Sequence, residues 1–185
     1  MIDLFHGEKQ VITAETPWEE IESLVREAVA ELKEKDSLLF QVKGSERSIT
    51  HRLAVYLEKR FEGWQVDCEY SRIEKNGDYK VLLHPDGKIK THWLDIGGSR
   101  IFPDIVVHNR GKVDRQNNLL VIEVKTTWNR DDESQDLFKL KALTGGLTYG
   151  QLVCYKFGAF LKFDQKAHLV DFQIFESETQ ESPLE

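Results

Sequence analysis

Phe102-Pro103-Asp104-Ile105-Val106-Val107, a polar stretch, then Leu119-Leu120-Val121-Ile122-Glu123-Val124-Lys125 is the passage that decides how this chain folds. Two apolar runs separated by turn-forming residues read as two strands joined by a loop. Each run carries an acid among Val, Ile and Leu. Ionised carboxylates in a dry setting are costly unless a cation or hydrogen bonds accept their charge, so Asp104 and Glu123 together point to a metal site.

Folding the two runs back about the polar loop from Asn109 to Asn118 gives an antiparallel hairpin with its midpoint between Val113 and Asp114. Asp104 and Glu123 are equidistant from that midpoint and are predicted to face each other with Cβ atoms about 5 Å apart. Such a like-charge pair is destabilising until a divalent cation lies between its members. Hard oxygen donors with no thiol or imidazole nearby favour Mg²⁺ or Mn²⁺ over zinc. Strand side chains alternate, so Lys125 projects from the same face as Glu123.

These residues resemble the signature of the PD-(D/E)xK nuclease superfamily, the restriction-endonuclease-like fold: Pro103-Asp104, a gap, then Glu123-Val124-Lys125. The motif itself spans about two dozen residues, and the order of elements from Ser45 to roughly Phe175 also looks like the core of that family. The resemblance implies an α/β fold in which a central mixed β-sheet is flanked by helices in αβββαβ order. An N-terminal helix and an inserted β-hairpin would be additions to it. It further implies metal-dependent hydrolysis of phosphodiester bonds in nucleic acid, with DNA favoured over RNA but the sequence not deciding between them. Asp104, Glu123 and the main-chain carbonyl of Val124 would then hold Mg²⁺ or Mn²⁺, and Lys125 would position a water and stabilise charge developing on phosphorus. Superfamily members often add an acid from the helix before the first core strand, a place that Glu46 would take in the catalytic and metal shell. The helix after the lysine can carry a basic residue to the substrate, and Lys139 is the nearest candidate.

Glu46 has two readings. It precedes Ile49 by three and Leu53 by seven, which puts its carboxylate on the inward stripe of a helix that Ser45 can cap and that continues through Leu57 and Phe61. An acid in a first turn also simply favours the helix dipole. His51 and Arg52 are expected on the exposed face of the same helix.

Upstream, Thr16-Pro17-Trp18-Glu19 reads as a capping box, and Ile21, Leu24, Val25, Ala28 and Leu32 recur at helical spacing as far as about Lys35. Val66, Cys68 and Tyr70 alternate as a first strand. Tyr79 to Leu83 and Ile89 to Leu94 frame a hairpin whose Pro85-Asp86-Gly87 is a turn signal, so the second Pro-Asp is not a site. Gly97-Gly98 has three readings: a bend, a place where a ligand approaches closely, or a plain loop. Asp131 to Leu143 reads as a helix with Leu137, Leu140 and Leu143 inward and Asp136, Lys139 and Lys141 on its surface. Val153 to Phe163 and His168 to Phe175 read as two final strands. Gln151 and Tyr155 match a Gln-x-x-x-Tyr pattern seen in the RecB-like branch, but alternation of Val153, Tyr155 and Phe157 favours a strand there.

The chain has 185 residues, enough for one domain, with residues 1–40 as a helical extension and 176–185 as a disordered tail. Its net charge of −7 is unevenly spread: residues 1–40 hold 4 Lys and Arg against 10 Asp and Glu, residues 176–185 hold 0 against 4, and residues 41–175 hold 21 against 18. A central region of that balance is compatible with modest, salt-sensitive phosphate binding rather than with DNA packaging. No apolar run approaches a membrane span of about 18 residues, and Met1-Ile2-Asp3-Leu4 lacks the basic start of a signal segment, so a cytoplasmic protein without membrane contact is expected. Cys68 and Cys154 are expected as buried free thiols. A homodimer through the acidic first helix is compatible with the sequence but not required by it. Two other function classes stay open: a catalytically inactive nucleic-acid-binding or assembly module on the same fold, and a phosphate-handling or metal-storage protein.

Overall fold

The computed structural model describes residues 11–71, 102–145 and 153–177. The expected hairpin between residues 79 and 94, Asp86, Gly97-Gly98, Gln151 and the tail beyond Ser177 lie outside the described residues. The described chain is an α/β structure with a five-stranded mixed sheet and three helices: α1 (Trp18–Gln41), α2 (Glu46–Glu58), β1 (Gln65–Cys68), β2 (Ile105–His108), β3 (Asn118–Thr126), α3 (Ser134–Gly145), β4 (Phe157–Phe163) and β5 (Leu169–Glu176). The strands lie in sequence order across the sheet. Only β3 and β4 run parallel, and α3 provides the crossover that a parallel pair needs.

All nine residues of β3 are buried, which is how a strand covered on both faces reads. Its side chains sort strictly by alternation. Leu120, Ile122 and Val124 join Ile105, Val107 and the apolar stripes of α1 and α2 in one core. Val121 joins Val106, Leu140, Leu143 and Phe160 in a second core under α3. Glu123 and Lys125 therefore face α3, and Thr126 faces α2.

The register of β2 on β3 is the one that loop symmetry predicts, with Ile105 opposite Ile122, Val106 opposite Val121 and Val107 opposite Leu120. One further step along it puts Asp104 beside Glu123. Toward the loop the register slips, His108 pairing with Asn118.

Helix α1 is part of the main core rather than an appendage, since Ile21, Val25, Ala28, Leu32 and Phe40 are fully buried. Its expected end near Lys35 is a kink instead: Asp36 leaves helical geometry with φ −124° and ψ 21°, and the helix resumes to Gln41. Asp36 sits four residues after Leu32, where the apolar stripe should continue. Its carboxylate accepts hydrogen bonds from Arg52 at 2.9 Å and from the Tyr56 hydroxyl, so the kink is tied to α2. Gly44 then lets the chain turn, because a Cβ there would stand 2.9 Å from the Leu39 carbonyl oxygen.

Several expectations need correction. The Thr16 hydroxyl does not cap α1; it accepts the Thr13 N–H at 3.0 Å, and Pro17 stands at the cap position without a side-chain bond. Helix α3 starts at Ser134 rather than Asp131, after Asp132 has accepted the Ser134 N–H. The strand expected from Val153 begins only at Phe157, since the Tyr155 N–H bonds to the Leu143 carbonyl instead of a neighbouring strand. Cys68 is exposed and Cys154 half-buried, both free. No helix among the described residues is long and apolar enough to cross a membrane.

Helix α3 approaches β4 at Gly158, where a Cβ would lie 3.0 Å from Thr144 Cγ2, 3.2 Å from Phe175 Cβ and 3.4 Å from Leu140 Cδ2. Gly158→Val is expected to destabilise the protein by about 1–3 kcal/mol through overpacking, read as a lower urea midpoint. An unchanged midpoint would mean that α3 does not seat on this strand.

Candidate active site

The site forms where β3 ends, beside the start of β2 and under the first two turns of α3. Asp104 stands one residue ahead of β2, and its Oδ2 accepts the Val124 N–H at 2.7 Å. That bond fixes the carboxylate against the neighbouring strand. Burial pushes Asp104 up to about 6, with the Val124 N–H and the Lys139 ammonium working against the rise.

Glu123, 1% exposed, is the most deeply placed acid of the group. Its Oε2 accepts a hydrogen bond from Lys139 Nζ at 2.7 Å, while its Oε1 is buried with no hydrogen-bond partner among the described residues. Burial holds this carboxyl well above the ordinary range, opposed by Lys139 and reinforced by Asp104.

The two lysines share a third acid. Asp136 places Oδ2 at 3.1 Å from Lys125 Nζ and Oδ1 at 2.9 Å from Lys139 Nζ. Burial works against the charge on Lys125, but the Asp136 and Glu46 carboxylates outweigh it and hold the ammonium above its usual value. Lys139 is likewise opposed by burial and is raised because Glu123 and Asp136 prevail. Asp136 stays beside Lys139 whether or not Glu123 is ionised, so Lys139 remains an ammonium. The result is a chain of alternating charge: Lys125, Asp136, Lys139, Glu123.

Glu46 points inward, as its helical phase requires, and bridges the two layers. Its Oε1 accepts both the Thr126 N–H at 2.8 Å and the Thr126 hydroxyl at 3.0 Å, and its Oε2 accepts from Asn129 Nδ2 at 2.6 Å. Lys125 Nζ lies 4.0 Å from that Oε2. Trp128 fastens the same corner by donating its indole N–H to the Gly44 carbonyl at 3.2 Å.

The structure thus sets Asp104 near Glu123, links Lys125 to Glu123 through Asp136 and Lys139, and sets Glu46 on the Lys125 side, its oxygens engaged by Thr126 and Asn129. Val124 contributes its N–H to Asp104, and its side chain lies in the α1 and α2 core. Among the described residues no three Asp, Glu, His or Cys side chains converge closely enough to hold a metal. Asp104 is near enough to raise Glu123 by its charge, and the partnerless Glu123 Oε1 is the kind of buried oxygen that a hard cation satisfies.

Sequence reasoning missed Asp136, Thr126 and Asn129, and it put Lys139 on the helix surface, whereas its ammonium is turned inward onto Glu123 and Asp136. A signal was present. Asp136 is four residues before Leu140 and Lys139 four before Leu143, so both continue the buried stripe of α3.

The raised carboxyls make stability pH-dependent when no divalent cation is present. A folded-state value near 6 for Asp104 against an ordinary one near 4 means the folded protein holds its proton longer than the unfolded chain. Stability from this group is full below about pH 4 and is lost as pH rises through about 6, on the order of 2–3 kcal/mol. In EDTA the urea midpoint should fall across that window, and Asp104→Asn should flatten the slope; an equally steep profile in the variant would refute the assignment.

No protein-family model, no curated protein and no solved structure matches this chain.

Proposed function

We propose that this protein is a metal-dependent nuclease of the PD-(D/E)xK type, hydrolysing phosphodiester bonds of nucleic acid, DNA rather than RNA, in the cytoplasm. The observation that carries the reading is the buried Glu123 carboxyl near Asp104, with its Oε1 left without a donor among the described residues and Lys125 linked to it through Asp136 and Lys139. The succession α2, β1, β2, β3, α3, β4 among the described residues is compatible with the αβββαβ order expected of a restriction-endonuclease-like core.

Asp104 and Glu123 would hold Mg²⁺ or Mn²⁺, which at such a site lowers the pKa of a bound water and polarises the scissile phosphate. Lys125, kept protonated by Asp136 and Glu46, does not serve as a general base; its ammonium orients the attacking water and opposes negative charge building on phosphorus. The oxygen of the water joins phosphorus as the phosphorus–oxygen bond to the sugar breaks; one proton of that water passes to solvent and the sugar oxygen takes one from solvent, leaving one phosphate end and one hydroxyl end. Glu46 holds the end of β3 in place through Thr126, and so fixes where Lys125 projects.

A second reading has one observation in its favour. Both lysines already have carboxylate partners, so the group is largely neutralised without a metal, as in a nucleic-acid-binding or assembly module that has no activity. A Mg²⁺ or Mn²⁺ cleavage assay on DNA with an EDTA control separates the two. Cleavage should require the metal, and Asp104→Asn, Glu123→Gln and Lys125→Met should each lower it by at least about 100-fold. Salt-dependent DNA binding without cleavage supports the inactive module, and wild-type cleavage in all three variants removes this site from consideration.

A further inference from the structure

Lys139 holds a position that a divalent ion would contest. Its ammonium lies 2.7 Å from Glu123 Oε2, on the acid most deeply buried in the site, and it also has a second anion within reach, Asp136 Oδ1 at 2.9 Å on the same helix. Asp136 cannot follow Glu123 toward a new cation, because its other oxygen is held by Lys125 at 3.1 Å. One carboxylate of the pair around Lys139 is therefore anchored, and the other retains an open oxygen.

We infer that Lys139 is a resident counter-cation on Glu123 that sets the affinity of the site for a divalent ion, with Asp136 as the carboxylate it keeps when Glu123 turns to the ion. The inference rests on the reading of Asp104 and Glu123 as metal-holding residues. A positive charge at bonding distance from a ligand oxygen repels an incoming divalent cation strongly in a water-poor site, where the effective dielectric constant is far below that of bulk water. Removing the charge should tighten binding. Removing the anchored alternative should weaken it, since Lys139 would then have only Glu123.

A purely structural ion pair predicts something else. Breaking it would cost stability and leave metal affinity either unchanged or reduced with the fold.

The test is calorimetric titration of Mn²⁺ alone into the metal-free full-length protein, at one fixed, mildly alkaline pH, with thermal unfolding of each variant in parallel. Lys139→Met should bind Mn²⁺ at least about tenfold more tightly than wild type, Lys139→Arg should stay within about threefold because it keeps the charge, and Asp136→Asn should bind several-fold more weakly. Unchanged or weaker binding by a folded Lys139→Met overturns the inference while leaving the metal site standing. If that variant does not fold, Lys139→Gln and Asp136→Asn decide: tighter binding by the first and weaker by the second support the inference, and any other pattern overturns it. Wild-type protein that binds no Mn²⁺ overturns both the inference and the metal-holding role on which it rests.

Discussion

A carboxyl group has been set in the middle of the most buried strand of the sheet, and the structure around Glu123 is arranged to tolerate it. Desolvation alone would keep such a group neutral or exclude it from the strand. Lys139 supplies the compensating charge, Asp136 keeps Lys139 charged, and Lys125 holds Asp136 in turn. Each of these contacts requires α3 to lie close over β3 and β4. Gly158 permits that approach by presenting no side chain beneath Thr144 and Leu140. The position of a glycine on β4 and the charge state of an acid on β3 are thus parts of one constraint.

Alternation along β3 distributes the molecule into two layers with different tasks. Leu120, Ile122 and Val124 close the larger core against α1 and α2, where burial of apolar area stabilises the fold. Val121, Glu123 and Lys125 face α3, where apolar packing gives way to charge toward the end of the strand. Glu46 joins the layers at that end. It belongs to α2 on one side of the sheet, yet its carboxylate holds Thr126 and Asn129, so movement of α2 would be transmitted to the strand that carries Lys125. Site geometry and the larger core are therefore mechanically connected.

What could be read in the sequence follows from how local each signal is. The register of β2 on β3 was legible because loop symmetry and the two acids identify the same axis, and the phase of Glu46 was legible because three- and four-residue spacing fixes a helix face regardless of context. The kink in α1 was half legible: the apolar stripe stops at Leu32, but only the tertiary partners Arg52 and Tyr56 explain why Asp36 can stand where the stripe should continue. Thr16 illustrates the opposite case, a good local capping pattern defeated by a competing local bond from Thr13. Val153 and Tyr155 alternate as in a strand because they are buried beneath α3, yet the Tyr155 N–H goes to Leu143 and no ladder forms. Asp136 and Lys139 read as an ordinary solvated pair until a buried carboxylate from another element is placed beneath them.

Lysines on both sides of Asp136 have a consequence for how the fold and the proposed ion relate. Structural metal sites bind and fold in one step, because their clustered ligands repel one another until the ion arrives. Here Lys125 and Lys139 already answer much of the repulsion among Asp104, Glu123, Asp136 and Glu46, and Val124 and Thr126 donate backbone N–H groups to two of those acids. The chain can close over its carboxylates without a metal. An ion taken up by Asp104 and Glu123 would then enter a folded site and meet preset partners, at the expense of affinity, since it must compete with an ammonium already in place. That exchange of affinity for preorganisation suits an ion used in turnover better than one used to hold a fold together.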